Sequence, residues 1–176
     1  MTTDQVLLAL SERLGQKLRS AGRRLATAES CTGGWVAKAC TDVAGSSQWF
    51  ECGFVTYSNA AKMRDIGVSE ATLAGHGAVS EATVREMAEG ALRVSGADVA
   101  VAISGIAGPD GGTPAKPVGT VWFGLAFRRG PDVVVISEME LFGGDRELIR
   151  RRSVERALQR VLEIEWGAGA KSEAGT

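Results

Sequence analysis

Leu25-Ala26-Thr27-Ala28-Glu29-Ser30-Cys31-Thr32-Gly33-Gly34 runs from a short β-prone stretch into a pair of glycines, with a hydroxyl and a thiol at the junction. Leu25 to Ala28 reads as a strand, and from Gly33 or Gly34 a helix can continue to about Val43. A strand passing directly into a helix is the opening unit of an α/β fold. Such a turn also leaves the first backbone N–H groups of the helix without partners, at the end where its dipole favours negative charge.

Upstream, Val6, Leu7, Leu10, Leu14 and Leu18 share one helical face, with Asp4 as the expected N-cap. Downstream, the turn Gly45-Ser46-Ser47 precedes an aromatic and β-branched strand, Phe50 to Tyr57. Ser58-Asn59 caps a short helix holding Lys62, and Ser80 caps a longer one reaching about Ser95. Val84, Met87, Ala88, Ala91 and Leu92 form the buried stripe of that second helix. Asp98 to Ser104 is a nearly unbroken apolar run, the signature of a central strand covered on both faces.

Gly105 to Pro117, with four glycines and three prolines, is a loop. Val118 to Phe127 and Val133 to Leu141 then form a hairpin around Arg129-Gly130-Pro131-Asp132, and a last helix runs from about Asp145 to Trp166. Helices alternate with strands first and the hairpin comes late. That order predicts an α/β fold, a three-layer α/β/α sandwich on a mixed β-sheet, as a single domain over residues 1–166. Residues 167–176 are expected to be a flexible tail.

The chain has 176 residues, 44% hydrophobic and 23% charged, with a formal net charge of -1. No polycationic surface exists for broad binding to nucleic acid. Fifteen of the twenty basic residues are arginine, which leaves room for a local anion site. Three cysteines without CxxC spacing fit a reducing compartment. The charged, amphipathic N-terminus lacks a signal-peptide core, and no apolar run approaches the ~20 residues that span a bilayer. No membrane association and a cytoplasmic location are expected.

At the first turn, a hydroxyl of Ser30 could attack a carbonyl while the N–H groups of Thr32, Gly33 and Gly34 hold the oxyanion. Ser30 or Thr32 as a plain helix cap is the competing reading. Cys31 is a rival nucleophile, and position alone does not separate it from Ser30.

The usual base is missing. The one histidine, His76, lies in Ala74-Gly75-His76-Gly77-Ala78, which reads as a loop between helices, so a serine–histidine–acid triad has little to stand on. A lysine whose pKa is lowered by burial can replace histidine. Of five lysines, Lys17 lies on an exposed helix face, Lys171 in the tail, and Lys38 two turns along the helix from Ser30. Lys62 follows the strand ending in Tyr57-Ser58-Asn59. Pairing that strand in parallel with Leu25–Ala28 brings their carboxyl ends together.

The Ser104-Gly105-Ile106-Ala107-Gly108-Pro109-Asp110-Gly111-Gly112-Thr113-Pro114 stretch is neither a Walker A loop nor a GxGxxG fingerprint, and composition leaves binding and structural roles equally open. Arg146, opposed to the helix dipole in the first turn after Gly143-Gly144-Asp145, makes sense beside an anion, while Arg150-Arg151-Arg152 reads as a solvated face or an oligomer contact. No metal site is expected from one histidine and scattered acids.

Taken together, Thr27 to Gly34, Tyr57-Ser58-Asn59-Ala60-Ala61-Lys62, Ser104 to Thr113 followed by Lys116 to Trp122, and Gly144-Asp145-Arg146 closely resemble the CinA C-terminal domain family. The resemblance covers roughly residues 5 to 165 and shows no departure at these motifs. It implies deamidation of a small-molecule nucleotide substrate, nicotinamide mononucleotide, to nicotinate mononucleotide and ammonia, without a cofactor. It also implies a homo-oligomer. Carried over by position, Ser30 is the nucleophile, Lys62 the general base and Tyr57 a neighbour in the same site. Ser104, Gly105 and the following loop line the pocket, and Arg146 meets the phosphate. Longer family members carry a further N-terminal nucleotide-processing domain that this sequence lacks, so the deamidase activity alone is expected. A second reading, a non-catalytic nucleotide-binding regulatory module, keeps the glycine loop and Arg146 but has no use for Ser30 and Lys62 together.

Overall fold

Val99–Gly105 (β3) sorts its side chains by size, with Val99, Val101 and Ile103 facing one core and Ala100 and Ala102 the other. Strands alternate their side chains between faces, so this run prepares one face for bulky partners and one for close helix approach. The neighbouring strands follow the same rule. Thr120–Arg129 (β4) sends Val121, Phe123, Leu125 and Phe127 to the bulky side, and Leu25–Glu29 (β1) sends Ala26 and Ala28 to the small side.

The computed structural model describes residues 2–166, so the expected tail lies outside the described residues. With Phe50–Val55 (β2) and Asp132–Leu141 (β5), the strands form one mixed sheet in the order β2-β1-β3-β4-β5. β1 pairs in parallel with both β2 and β3, while β3–β4 and β4–β5 are antiparallel.

Helices Asp4–Ala21 (α1), Trp35–Thr41 (α2) and Arg146–Glu163 (α6) cover the bulky face. Asn59–Ile66 (α3), Glu70–His76 (α4) and Glu81–Ser95 (α5) cover the small one. This is the expected three-layer sandwich, one domain around two cores. The small face is needed: a Cβ on Gly124 would stand 2.2 Å from the Val84 carbonyl oxygen of α5.

Several local expectations need correction. Thr3, not Asp4, caps α1, its side chain accepting from the Val6 N–H; Asp4 is the first helical residue. His76 does not lie in a loop but closes α4, which Ser69 caps. Lys17 is not on a free face: its Nζ donates to the Leu162 and Ile164 carbonyls at 2.5 and 2.6 Å, closing the end of α6. Arg156 and Arg160 on α6 pair with Glu138 at 2.8 Å each, and Arg156 also with Glu140 at 3.4 Å, tying the helix to β5. No helix among the described residues is long and apolar enough to cross a membrane.

Gly90 separates helix propensity from packing. Alanine is favoured over glycine inside a helix by about 1 kcal/mol. Yet a Cβ at Gly90 would meet the Ile66 carbonyl oxygen at 1.8 Å. Gly90→Ala is therefore expected to destabilise the protein by about 2 kcal/mol in urea unfolding, the cost of overpacking exceeding the propensity gain. A stabilised variant would refute the close crossing of α3 and α5.

Candidate active site

Three segments meet at the carboxyl end of the parallel strands. The Ser30 N–H donates to the Ile103 carbonyl at 3.0 Å, seating the residue after β1 beside β3. The Thr56 N–H donates to the Glu29 carbonyl at 2.9 Å, seating the residue after β2 beside β1. Ser58 then caps α3, accepting from the Ala61 N–H, and the first turn of that helix delivers Lys62.

Lys62 is fully buried, and its Nζ lies 3.0 Å from Ser30 Oγ, 2.7 Å from the Thr56 carbonyl oxygen and 3.2 Å from that of Tyr57. Among the described residues no carboxylate lies within ion-pair distance of it. Burial without a counter-charge disfavours the ammonium and brings its pKa down to about 8. A neutral amine has two N–H bonds and one lone pair. With the N–H bonds on the two carbonyls, the lone pair faces the Ser30 hydroxyl.

The serine turn is held from within by Glu29. Its buried carboxylate accepts the N–H groups of Gly34, Val36 and Ala37 at 3.0, 3.0 and 2.8 Å, and the Thr27 hydroxyl at 3.3 Å. These are the orphan donors of α2, so the acid both caps the helix and keeps its own negative charge solvated. Gly33 and Gly34 adopt φ of 63° and 93°, which a side chain rarely tolerates. The Gly33 N–H closes the turn on the Ser30 carbonyl at 3.1 Å.

Gly33 and Gly34 thus have their amides engaged, and the expected donor set narrows. The Cys31 and Thr32 N–H groups, at the centre of the turn, donate to no other residue's backbone among the described residues. Thr32 is fully buried, and its hydroxyl has no partner.

The other residues singled out divide clearly. Cys31 packs into the bulky-side core, and burial pushes its thiol up to about 12, leaving it protonated. Tyr57 contributes its carbonyl to Lys62, and the residue is 63% exposed. Ser104 is buried beside the site, with its hydroxyl donating to the Ala78 carbonyl at 2.7 Å. Gly105 is glycine for packing, since a Cβ would meet Val121 Cγ2 at 2.7 Å. Arg146 is exposed and donates to the Gly108 carbonyl at 2.6 Å, tying α6 to the glycine loop. Lys116 braces the segment after α4 through the His76 and Val79 carbonyls at 3.0 and 2.7 Å, and Lys38 pairs with Asp42 at 2.6 Å.

Two contributors escaped the sequence reading. Glu29 was visible only as an acid in an apolar strand before two glycines. Arg150, assigned to a solvated face or an oligomer contact, instead donates Nε to the Cys31 carbonyl at 3.0 Å and Nη2 to the Thr32 carbonyl at 2.9 Å. No group of three or more His, Cys, Asp and Glu among the described residues could hold a metal ion.

The arrangement defines a class of α/β domains that present a serine–lysine pair where two parallel strands end. The CinA C-terminal domain model matches residues 7–164. The chain is 61% identical over 157 residues to nicotinamide-nucleotide amidohydrolase PncC of Escherichia coli (strain K12), covering 89% of this chain and 93% of that one. It is 53% identical over 158 residues to the protein of the same name from Pseudomonas putida, covering 90% and 96%. The solved competence/damage inducible protein CihA from Agrobacterium tumefaciens aligns with a TM-score of 0.83 at 43% identity over 89% of this chain and 94% of that one. The chain belongs to the CinA C-terminal domain family.

The Lys62 pKa has a thermodynamic consequence with a definite sign. Below about 8 the amine is protonated whether the chain is folded or not, so the folded state carries the whole burial penalty. Between about 8 and 10.5 the unfolded chain binds the extra proton, and stability gains with rising pH. Lys62→Met is expected to unfold at higher urea than wild type at neutral pH, with the gap closing as pH climbs through that window. A gap that widens with pH would contradict a buried, unpaired cation.

Proposed function

We propose that this protein deamidates nicotinamide mononucleotide to nicotinate mononucleotide and ammonia, with Ser30 as nucleophile and Lys62 as general base. The observation that carries the reading is the 3.0 Å contact between a buried, unpaired amine and the serine hydroxyl. The relatives named nicotinamide-nucleotide amidohydrolase, at 53 to 61% identity across most of the chain, supply the substrate.

The neutral Lys62 amine takes the Ser30 proton as Oγ attacks the carboxamide carbon. The Cys31 and Thr32 N–H groups receive the charge that develops on the carboxamide oxygen. The Lys62 ammonium then protonates the departing nitrogen, ammonia leaves, and the amine is restored. Water, deprotonated by the same amine, attacks the acyl-enzyme, and the Lys62 ammonium returns that proton to the departing Ser30 Oγ, restoring both groups. Tyr57 serves through its carbonyl, which keeps Lys62 aimed. Arg146 and the loop from Ser104 and Gly105 onward receive the ribose phosphate. The homo-oligomer and a cytoplasmic site of action belong to the same proposal, and three unpaired cysteines agree with a reducing compartment.

Ammonia release from nicotinamide mononucleotide tests the assignment. Ser30→Ala is expected to lose about ten-thousandfold in kcat, and Lys62→Met and Lys62→Arg comparably, while Cys31→Ala stays active. For wild type, kcat/KM should rise with pH through about 8, because only the deprotonated amine is a base. A fully active Ser30→Ala with a dead Cys31→Ala would move the nucleophile one residue along.

Substrate length tests the anion role. Arg146→Ala is expected to raise KM about tenfold for the mononucleotide and leave the riboside unaffected, the loss of one charge-assisted contact. Equal wild-type activity on free nicotinamide and on the mononucleotide would remove Arg146 from the site.

A further inference from the structure

We infer that Arg150 is a positioning residue for the reaction, orienting the Thr32 N–H, one of the two backbone donors that receive the oxyanion; this rests on the serine–lysine reading above. Arg150 sits on α6, 119 positions along the chain from Cys31, yet forks onto the two carbonyls at the heart of the serine turn. A trans peptide points its C=O and the next N–H in opposite directions. Drawing the Cys31 carbonyl toward α6 therefore drives the Thr32 N–H away from α6. Drawing the Thr32 carbonyl the same way holds the next peptide plane, whose N–H goes to Ser30.

The guanidinium is itself fixed. It lies over the Trp35 ring at 5.3 Å and is half-buried. Arg151, Arg156 and Arg160 on the same helix all pair with carboxylates, but Arg150 has none within ion-pair distance among the described residues. Its charge is spent on two peptide oxygens. A cation on a carbonyl polarises that peptide and strengthens its N–H as a donor, so the same contact aims the donor and improves it. The fork geometry is what lysine cannot reproduce.

Arg150 is placed to act on the transition state more than on ground-state binding, since substrate charge appears only as Ser30 attacks. Steady-state ammonia release from nicotinamide mononucleotide, with melting followed by circular dichroism, separates this from simple bracing. Arg150→Met is expected to lose about 30-fold in kcat with KM little changed, less than the loss of a direct oxyanion donor. Arg150→Lys should fall between it and wild type. Added guanidinium chloride, below denaturing concentration, should return part of the Arg150→Met kcat in a saturable way and leave wild type unaffected.

An Arg150→Met enzyme with wild-type kcat overturns the inference, as does a loss that tracks melting temperature in both variants and ignores guanidinium. Wild type that releases no ammonia overturns the amidohydrolase reading and this inference with it. An active wild type beside an indifferent Arg150→Met overturns the role of Arg150 alone.

Discussion

The Thr56 N–H reaches the Glu29 carbonyl at 2.9 Å, extending the parallel ladder of β1 and β2 one rung beyond Val55. Everything at the site inherits its position from that rung. It sets Thr56 and Tyr57 alongside Ser30, and the Ser58 cap then fixes where α3 begins and which side of it Lys62 occupies. A slip of one residue in a strand pair sends every side chain to the opposite face. The alanine face of β1 cannot exchange places with its leucine and threonine face without wrecking both cores, so the hydrophobic pattern secures the register that the chemistry needs.

Two buried ionisable groups, Glu29 and Lys62, serve the same turn and are treated in opposite ways. Glu29 is surrounded by three amide donors and a hydroxyl, a substitute for water that lets a carboxylate persist in the interior. Lys62 receives two carbonyls and a hydroxyl but no opposite charge, so the interior works against its proton. The first group makes the turn rigid; the second supplies an amine able to accept a proton near neutrality. Cys31, between them in sequence, turns its side chain into the bulky-side core.

Much of this was legible in the chain. The covered central strand at Asp98 to Ser104, the strand–turn–helix at Leu25 to Gly34 and the hairpin around Gly130 follow from local chemistry, and so do the Ser58 and Ser80 caps. Lys62 stood out from four other lysines because a parallel sheet brings strand ends together. The residues that escaped are those whose function depends on distant partners. Nothing near Arg150 announces that its fork meets carbonyls from another layer. Glu29 betrays its role only through donors that exist once α2 has formed. At Gly105, a glycine that avoids a neighbouring strand and one that admits a substrate are identical in sequence, and the contact with Val121 shows only the first requirement. Tyr57 matched a motif whose side chain faces outward here, since the part used is the peptide oxygen every residue has.

The ionic cluster joining α6 to β5 bears on how the sheet ends. β5 is ten residues long and lies at the border of the sheet, with a row of peptide groups open to any extended chain that arrives there. Glu138 and Glu140 are already pulled onto Arg156 and Arg160 beneath them. An incoming strand would bring its own side chains against these anchored acids and would have to disturb the cluster to settle. Charges held in place this way discourage strand addition from outside, a guard against runaway self-association built from the same helix that carries Arg150.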